Sequence, residues 1–140
     1  MYQSILVPLD GSKVAEAILP EIERFSGEPL PRLQLIRVCL AHGFPGQDMT
    51  DLQLKTINEA RAYLQGIKSR LVEQGFDTSI SVLYGDAAEE ILEHSMRPTI
   101  DLVAMSTHGR SGPGRWLMGS IAEKIVRHCQ KPVLLIRAGK

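Results

Sequence analysis

Short apolar runs alternate with amphipathic stretches along the whole chain. Ser4-Ile5-Leu6-Val7-Pro8 and Leu33-Gln34-Leu35-Ile36-Arg37-Val38-Cys39-Leu40 are β-rich runs, the first followed by turn residues and the second preceded by Pro29-Leu30-Pro31. Between them Val14, Ala17, Ile18, Ile22 and Phe25 recur at helical spacing, with Gly27 placed as a C-cap. Pro20 inside that pattern predicts a kink or an early break, because proline has no N–H to give the helix. From Thr50 to Gln74, Ile57, Ala60, Leu64, Ile67 and Leu71 mark a long amphipathic helix that Gly75 ends. Ala41 to Met49, with Gly43, Pro45 and Gly46, reads as a long loop. Thr78 to Tyr84 is a third strand. Asp86-Ala87-Ala88-Glu89 has the form of a helix N-cap with a reciprocating glutamate, and that helix runs to about Met96. Ile100 to Met105 gives a fourth strand. Ser120 to Cys129 gives a last helix with Ile121, Ala122, Ile125 and Val126 inward, and Pro132 to Ile136 a fifth strand.

Strict strand–helix alternation predicts a parallel sheet with helices on both faces. No repeat, linker or composition break divides it, so residues 1–140 are expected to form one doubly wound α/β domain. A chain of 140 residues is long enough to bury roughly two thirds of its unfolded surface in one core. The 16 basic and 16 acidic residues balance, which argues against a nucleic-acid or anionic-membrane partner drawn by overall charge. Aromatics at 5% are too sparse for a single-strand stacking platform. No apolar run is long enough to span a membrane, and Met1-Tyr2-Gln3-Ser4 lacks the basic start of a signal peptide, so a cytoplasmic location is expected. Cys39 and Cys129 have no CxxC spacing and read as plain buried thiols.

In an open parallel sheet, ligands bind beyond the carboxyl ends of strands where the winding direction reverses. Two strand ends are polar and carry glycine: Pro8-Leu9-Asp10-Gly11-Ser12, and Ser106-Thr107-His108-Gly109-Arg110-Ser111-Gly112-Pro113-Gly114 with Gly119-Ser120 further on. If the first and fourth strands are neighbours, these loops face each other. Gly109, Gly112 and Gly114 let backbone amides turn inward, and the last helix opens at Gly119-Ser120, where free N–H groups can hold phosphate. The same residues also suit an ordinary turn, with Ser120 and Glu123 as an S-x-x-E capping box. Gly114 to Ser120 has Walker-like glycine spacing without the lysine, and no G-x-G-x-x-G follows a strand.

Asp10 has two readings, a ribose or adenine contact and a cap on the next helix. His108 can act as a general acid or base or bond to backbone, and no nucleophile with a placed acid partner stands near it in the sequence. Arg110 and Arg115 can screen phosphate charge or do nothing measurable. His42, His94 and His128 lack zinc-ligand spacing. Trp116 reads as a packing anchor for the glycine-bearing loop.

Ile5-Leu6-Val7-Pro8-Leu9-Asp10-Gly11-Ser12, Ser106-Thr107-His108-Gly109, Gly119-Ser120 and Lys131-Pro132-Val133-Leu134-Leu135-Ile136 together resemble the universal stress protein (UspA) family over essentially the whole chain. The nucleotide-binding branch of that family carries G-x-x-G, nine residues, then G-S/T after strand four. Gly109 and Gly119-Ser120 fit that pattern, while Ser106 replaces the first glycine and adds a hydroxyl near the expected phosphates.

The resemblance implies that Pro8, Leu9 and Asp10 line adenine and ribose, that Val38 contacts the base and that Met105 borders the pocket. It places the phosphates on the amides of Gly109, Gly119, Ser120, Ile121 and Ala122 and on the Ser120 hydroxyl. Ser106, His108 and Arg110 complete the candidate set. It further implies a Rossmann-like sheet of order 3-2-1-4-5, and a homodimer through the apolar edge strand Val133, Leu134, Leu135 and Ile136. The expected ligand is ATP, with ADP or AMP as alternatives and Mg²⁺ or Mn²⁺ as a companion ion. The expected role is a stress-response regulator. The competing readings are a slow ATPase using His108 or Asp10, and a dimeric interaction protein of the same fold that binds no nucleotide.

Overall fold

The computed structural model describes residues 2–40, 50–108 and 119–138. The elements in chain order are β1 (Ser4–Pro8), α1 (Lys13–Glu16), α2 (Ile18–Phe25), β2 (Arg32–Cys39), α3 (Thr50–Glu73), β3 (Thr78–Tyr84), α4 (Ala87–Ser95), β4 (Leu102–Thr107), α5 (Ser120–His128) and β5 (Val133–Arg137). All strand pairs are parallel, in the order β3-β2-β1-β4-β5. The expected doubly wound fold is therefore present, and its winding reverses between β1 and β4.

Alternation along each strand divides the core in two. Ile5, Val7, Leu33, Leu35, Leu102 and Ala104 face α1, α2 and α3, packing with Ile18, Ile22, Leu64 and Leu71. Leu6, Ile36, Val103 and Met105 face α4 and α5, with Ile91, Ala122 and Ile125. β1 is central and buried along its whole length.

The break predicted from Pro20 falls at Ala17, between α1 and α2. Proline cannot donate to the Glu16 carbonyl and its ring crowds that oxygen. The chain tightens there instead, with Ala17 N–H donating to Val14 at 3.2 Å. Gly27 is not the C-cap: the Ser26 hydroxyl and amide both reach the Ile22 carbonyl, at 2.6 and 3.0 Å, and end α2 before it. Gly75 closes α3 as expected, at φ +100°.

β4 begins and ends two residues later than its apolar pattern suggests. The Asp101 carboxylate accepts from the amides of Gln3 and Ser4, and Lys131 Nζ donates to the carbonyls of Arg97 and Ile100 at 3.1 and 2.5 Å. These contacts hold residues 97–101 as a joint. Ser106 and Thr107 consequently finish the strand as buried residues. On α5, Ala122 and Ile125 point inward, while Ile121 and Val126 are 42% and 45% exposed and do not. Cys39 is buried; Cys129 is only half-buried.

Candidate functional site

A cleft of about 260 Å³ opens where the winding reverses. Pro8, Leu9 and Asp10 enter from the end of β1, Ile36 and Val38 from β2, and Met105, Ser106, Thr107 and His108 from the end of β4. Gly119, Ser120, Ile121 and Ala122 supply the start of α5. Eleven of the sequence-derived site residues thus come together; Gly109 and Arg110 lie outside the described residues, as do His42, Arg115, Trp116 and the stretch Ala41 to Met49. The sequence reading missed Val14 and Ala15 on α1, Ala87 and Ile91 on α4, and Ile36 and Thr107. A signal existed for α4, since its Asp86-capped start aims at the same edge of the sheet.

The capping box expected at Ser120 does not form. Gly119 is the N-cap, Ser120 is the first helical residue, and the Glu123 carboxylate pairs with Arg127 at 2.7 Å instead of reaching back. Helix geometry then leaves the amides of Ser120, Ile121 and Ala122 without an intrahelical acceptor. The partial positive charge of the helix start faces the cleft, which suits an anion. Gly119 N–H donates weakly to Thr107 Oγ1, at 3.4 Å. Among the described residues a Cβ at Gly119 would meet nothing closer than Thr107 Oγ1 at 3.8 Å, ordinary van der Waals contact.

Asp10 does not cap α1; Ser12 does, its hydroxyl accepting from Ala15 N–H at 3.1 Å. Asp10 steadies that cap, because its Oδ1 accepts from the Ser12 amide at 2.9 Å and the Ser12 hydroxyl at 2.6 Å. The other carboxylate oxygen, on an exposed side chain, has no hydrogen bond among the described residues. An ionised carboxylate oxygen can accept a hydrogen bond from a ligand. His108 is exposed and likewise makes no hydrogen bond among the described residues, so the expected backbone contact is not present there.

Ser106 lines the cleft, and its hydroxyl is engaged by the backbone of α1. Alternation sets Ser106 on the same face as Leu102 and Ala104, toward α1. Its Oγ donates to the Val14 carbonyl and lies 3.1 Å from that of Ala15.

Behind α1 lies a charged knot. Glu16 accepts from the Tyr63 hydroxyl at 2.7 Å and stands 3.7 Å from Arg70 and 3.9 Å from Lys13. Burial first, and then the bond to Glu16, hold the Tyr63 phenol protonated far above its usual range. On the opposite face of the sheet, His94 lies buried with Nε2 3.3 Å from Gln34 Oε1, and desolvation, with Arg97 nearby, lowers its pKa from 6.5. Among the described residues no group of three or more His, Cys, Asp or Glu side chains is placed to hold a metal. No helix among them is long and apolar enough to cross a membrane.

Comparison with known proteins gives the same picture along the whole chain. The sequence profile of the Universal stress protein family matches residues 1–137. Universal stress protein MJ0577 of Methanocaldococcus jannaschii is 26% identical, with 98% of this chain and 96% of that protein covered. The solved structure of MJ0577 superposes with a TM-score of 0.87 at 27% identity, covering 100% of this chain and 99% of that one. A universal stress protein solved in complex with cAMP has a TM-score of 0.72 at 17% identity, covering 99% of each chain. An Arabidopsis thaliana family protein with AMP bound has a TM-score of 0.71 at 15% identity, covering 98% of this chain and 92% of that one.

Proposed function

The chain belongs to the universal stress protein family, and from that premise we propose that its cleft binds an adenine nucleotide, ATP foremost, as the signal of a cytoplasmic stress-response regulator. One observation carries the reading: the α5 amides of Ser120, Ile121 and Ala122, which have no intrahelical acceptor, and the Asp10 carboxylate line a single cleft with apolar walls. The helix start takes the phosphates. Asp10 takes the ribose, and Val38, Ile36 and Met105 lie against the base. ADP and AMP fit the same arrangement with fewer phosphates. Relatives solved with cAMP and with AMP support a purine nucleotide as the ligand class. Mg²⁺ or Mn²⁺ would arrive on the phosphates, since Mg²⁺ commonly uses one or two carboxylates plus substrate oxygens. Asp10 is the carboxylate lining the cleft among the described residues.

The protein acts as a homodimer in this reading. β5 is an edge strand whose Val133, Leu134, Leu135 and Ile136 are only partly buried. An apolar hollow of about 400 Å³ beside it is bounded by Tyr2, Phe25 and Leu102. A second copy covers such an edge most simply, by twofold pairing.

The test of the nucleotide reading is to denature freshly purified protein and identify what it releases by chromatography and mass spectrometry, adding ATP and Mg²⁺ first if it is empty. Release of an adenine nucleotide supports the reading. Protein that is empty and stays empty contradicts it.

A further inference from the structure

A second cleft, about 400 Å³, adjoins the first and shares Asp10 and Val38 with it. Its polar walls are Arg37, Thr56 and Tyr84. Alternation on β2 sends Arg37 to the α3 side of the sheet, opposite Val38. There its guanidinium stacks on the Tyr63 ring, 5.1 Å from the centroid. It also runs beneath the turn that carries Asp10: Gly11 is at φ +91°, and a Cβ on it would sit 3.1 Å from Arg37 Nη1.

The cation is held in place, yet no carboxylate lies within ion-pair distance of it among the described residues. The hydroxyls of Thr56 and Tyr84 are also without hydrogen bonds among the described residues. A half-buried arginine fixed by stacking, with the Thr56 and Tyr84 hydroxyls lining the same cleft, is a donor set suited to phosphate.

We propose that Arg37, Thr56 and Tyr84 form a subsite for a second phosphate, esterified to the ribose 2′- or 3′-hydroxyl of an adenine nucleotide. The proposal rests on the nucleotide reading above. With base and 5′-phosphates in the first cleft, the ribose sits at Asp10, the junction of the two. Its remaining hydroxyls then point along the shared wall toward Arg37. The carboxylate accepts from one ribose hydroxyl while the guanidinium neutralises a phosphate on the neighbouring carbon. In dinucleotide sites an acid takes a free ribose 2′-hydroxyl, and where a 2′-phosphate is accepted a nearby arginine takes it.

The experiment measures Kd of the whole protein for AMP, ADP, adenosine 2′,5′-bisphosphate and adenosine 3′,5′-bisphosphate at one ionic strength. ADP matches the bisphosphates in phosphate number but adds its second phosphate on the 5′ side. One bisphosphate is expected to bind about tenfold or more tightly than both AMP and ADP, the size of a charge-assisted hydrogen-bond pair. Arg37→Gln should bring these values together. Equal affinities in the wild type, or a preference that survives Arg37→Gln, overturns the subsite, and the wild-type comparison decides even if the variant fails to fold. AMP or ADP bound without preference removes the subsite alone. Failure to bind any of the four, or ATP, removes the nucleotide reading and the subsite with it.

Discussion

The Ser106 hydroxyl donates to the Val14 carbonyl, joining the end of β4 to α1. That bond settles how a serine is accommodated where the family motif has its first glycine. The side chain serves the protein rather than the ligand, because strand alternation faces it toward the short helix that Pro20 has cut off from α2.

Ser106→Gly, which restores the motif glycine, is therefore expected to cost about 1 kcal/mol of stability and not to tighten ATP binding. Urea unfolding and calorimetry on the same samples check both. An unchanged midpoint together with a Kd several-fold lower would show that the hydroxyl obstructs the phosphates after all.

His94 should make the protein sensitive to acid. Its folded pKa is lowered from 6.5 by burial, so the unfolded chain binds the proton more readily. Stability is then complete above the unfolded value and is lost as pH falls through and below it. The urea midpoint is expected to fall from about pH 7.5 to about pH 5.5 in the wild type, and to fall less in His94→Gln. Equal slopes in the two proteins would rule His94 out as the cause.

Leu134→Lys places a charge on the β5 edge, beside the hollow bounded by Tyr2 and Phe25. Light scattering on the eluting protein should show a dimer for the wild type and a monomer for the variant, with circular dichroism confirming the fold. A wild-type monomer at all concentrations contradicts edge pairing. So does a variant that remains a dimer.

Much of this was written in the sequence, and the exceptions have local causes. β1 and β3 coincide with their apolar runs, β3 because glycine and aspartate bound it on either side and β1 because Asp10-Gly11-Ser12 ends it. β4 was misplaced because an apolar pattern cannot see that Ser106 and Thr107 satisfy their polar groups within a buried strand. Gly27 looked like a cap, but Ser26 competes for the same Ile22 carbonyl and wins by proximity. The Ser120 capping box does not form because Gly119 takes the N-cap and leaves Ser120 inside the first turn, with Glu123 paired to Arg127 instead. Most cleft residues were legible, since strand ends at a winding reversal are where ligands bind. Arg37 was not, because its significance comes from Tyr63 and Gly11, brought beside it only by folding.

The most direct test of the central claim is a calorimetric titration of ATP with Mg²⁺ into the wild type and Gly119→Val. Among the described residues a Cβ at this position comes no closer than 3.8 Å to a neighbour, so the variant should melt close to the wild type. The added side chain stands where a phosphate must approach the α5 amides. Saturable wild-type binding, weakened about tenfold or more in Gly119→Val, is the predicted result. No binding by the wild type, or equal binding by both proteins, would contradict the account.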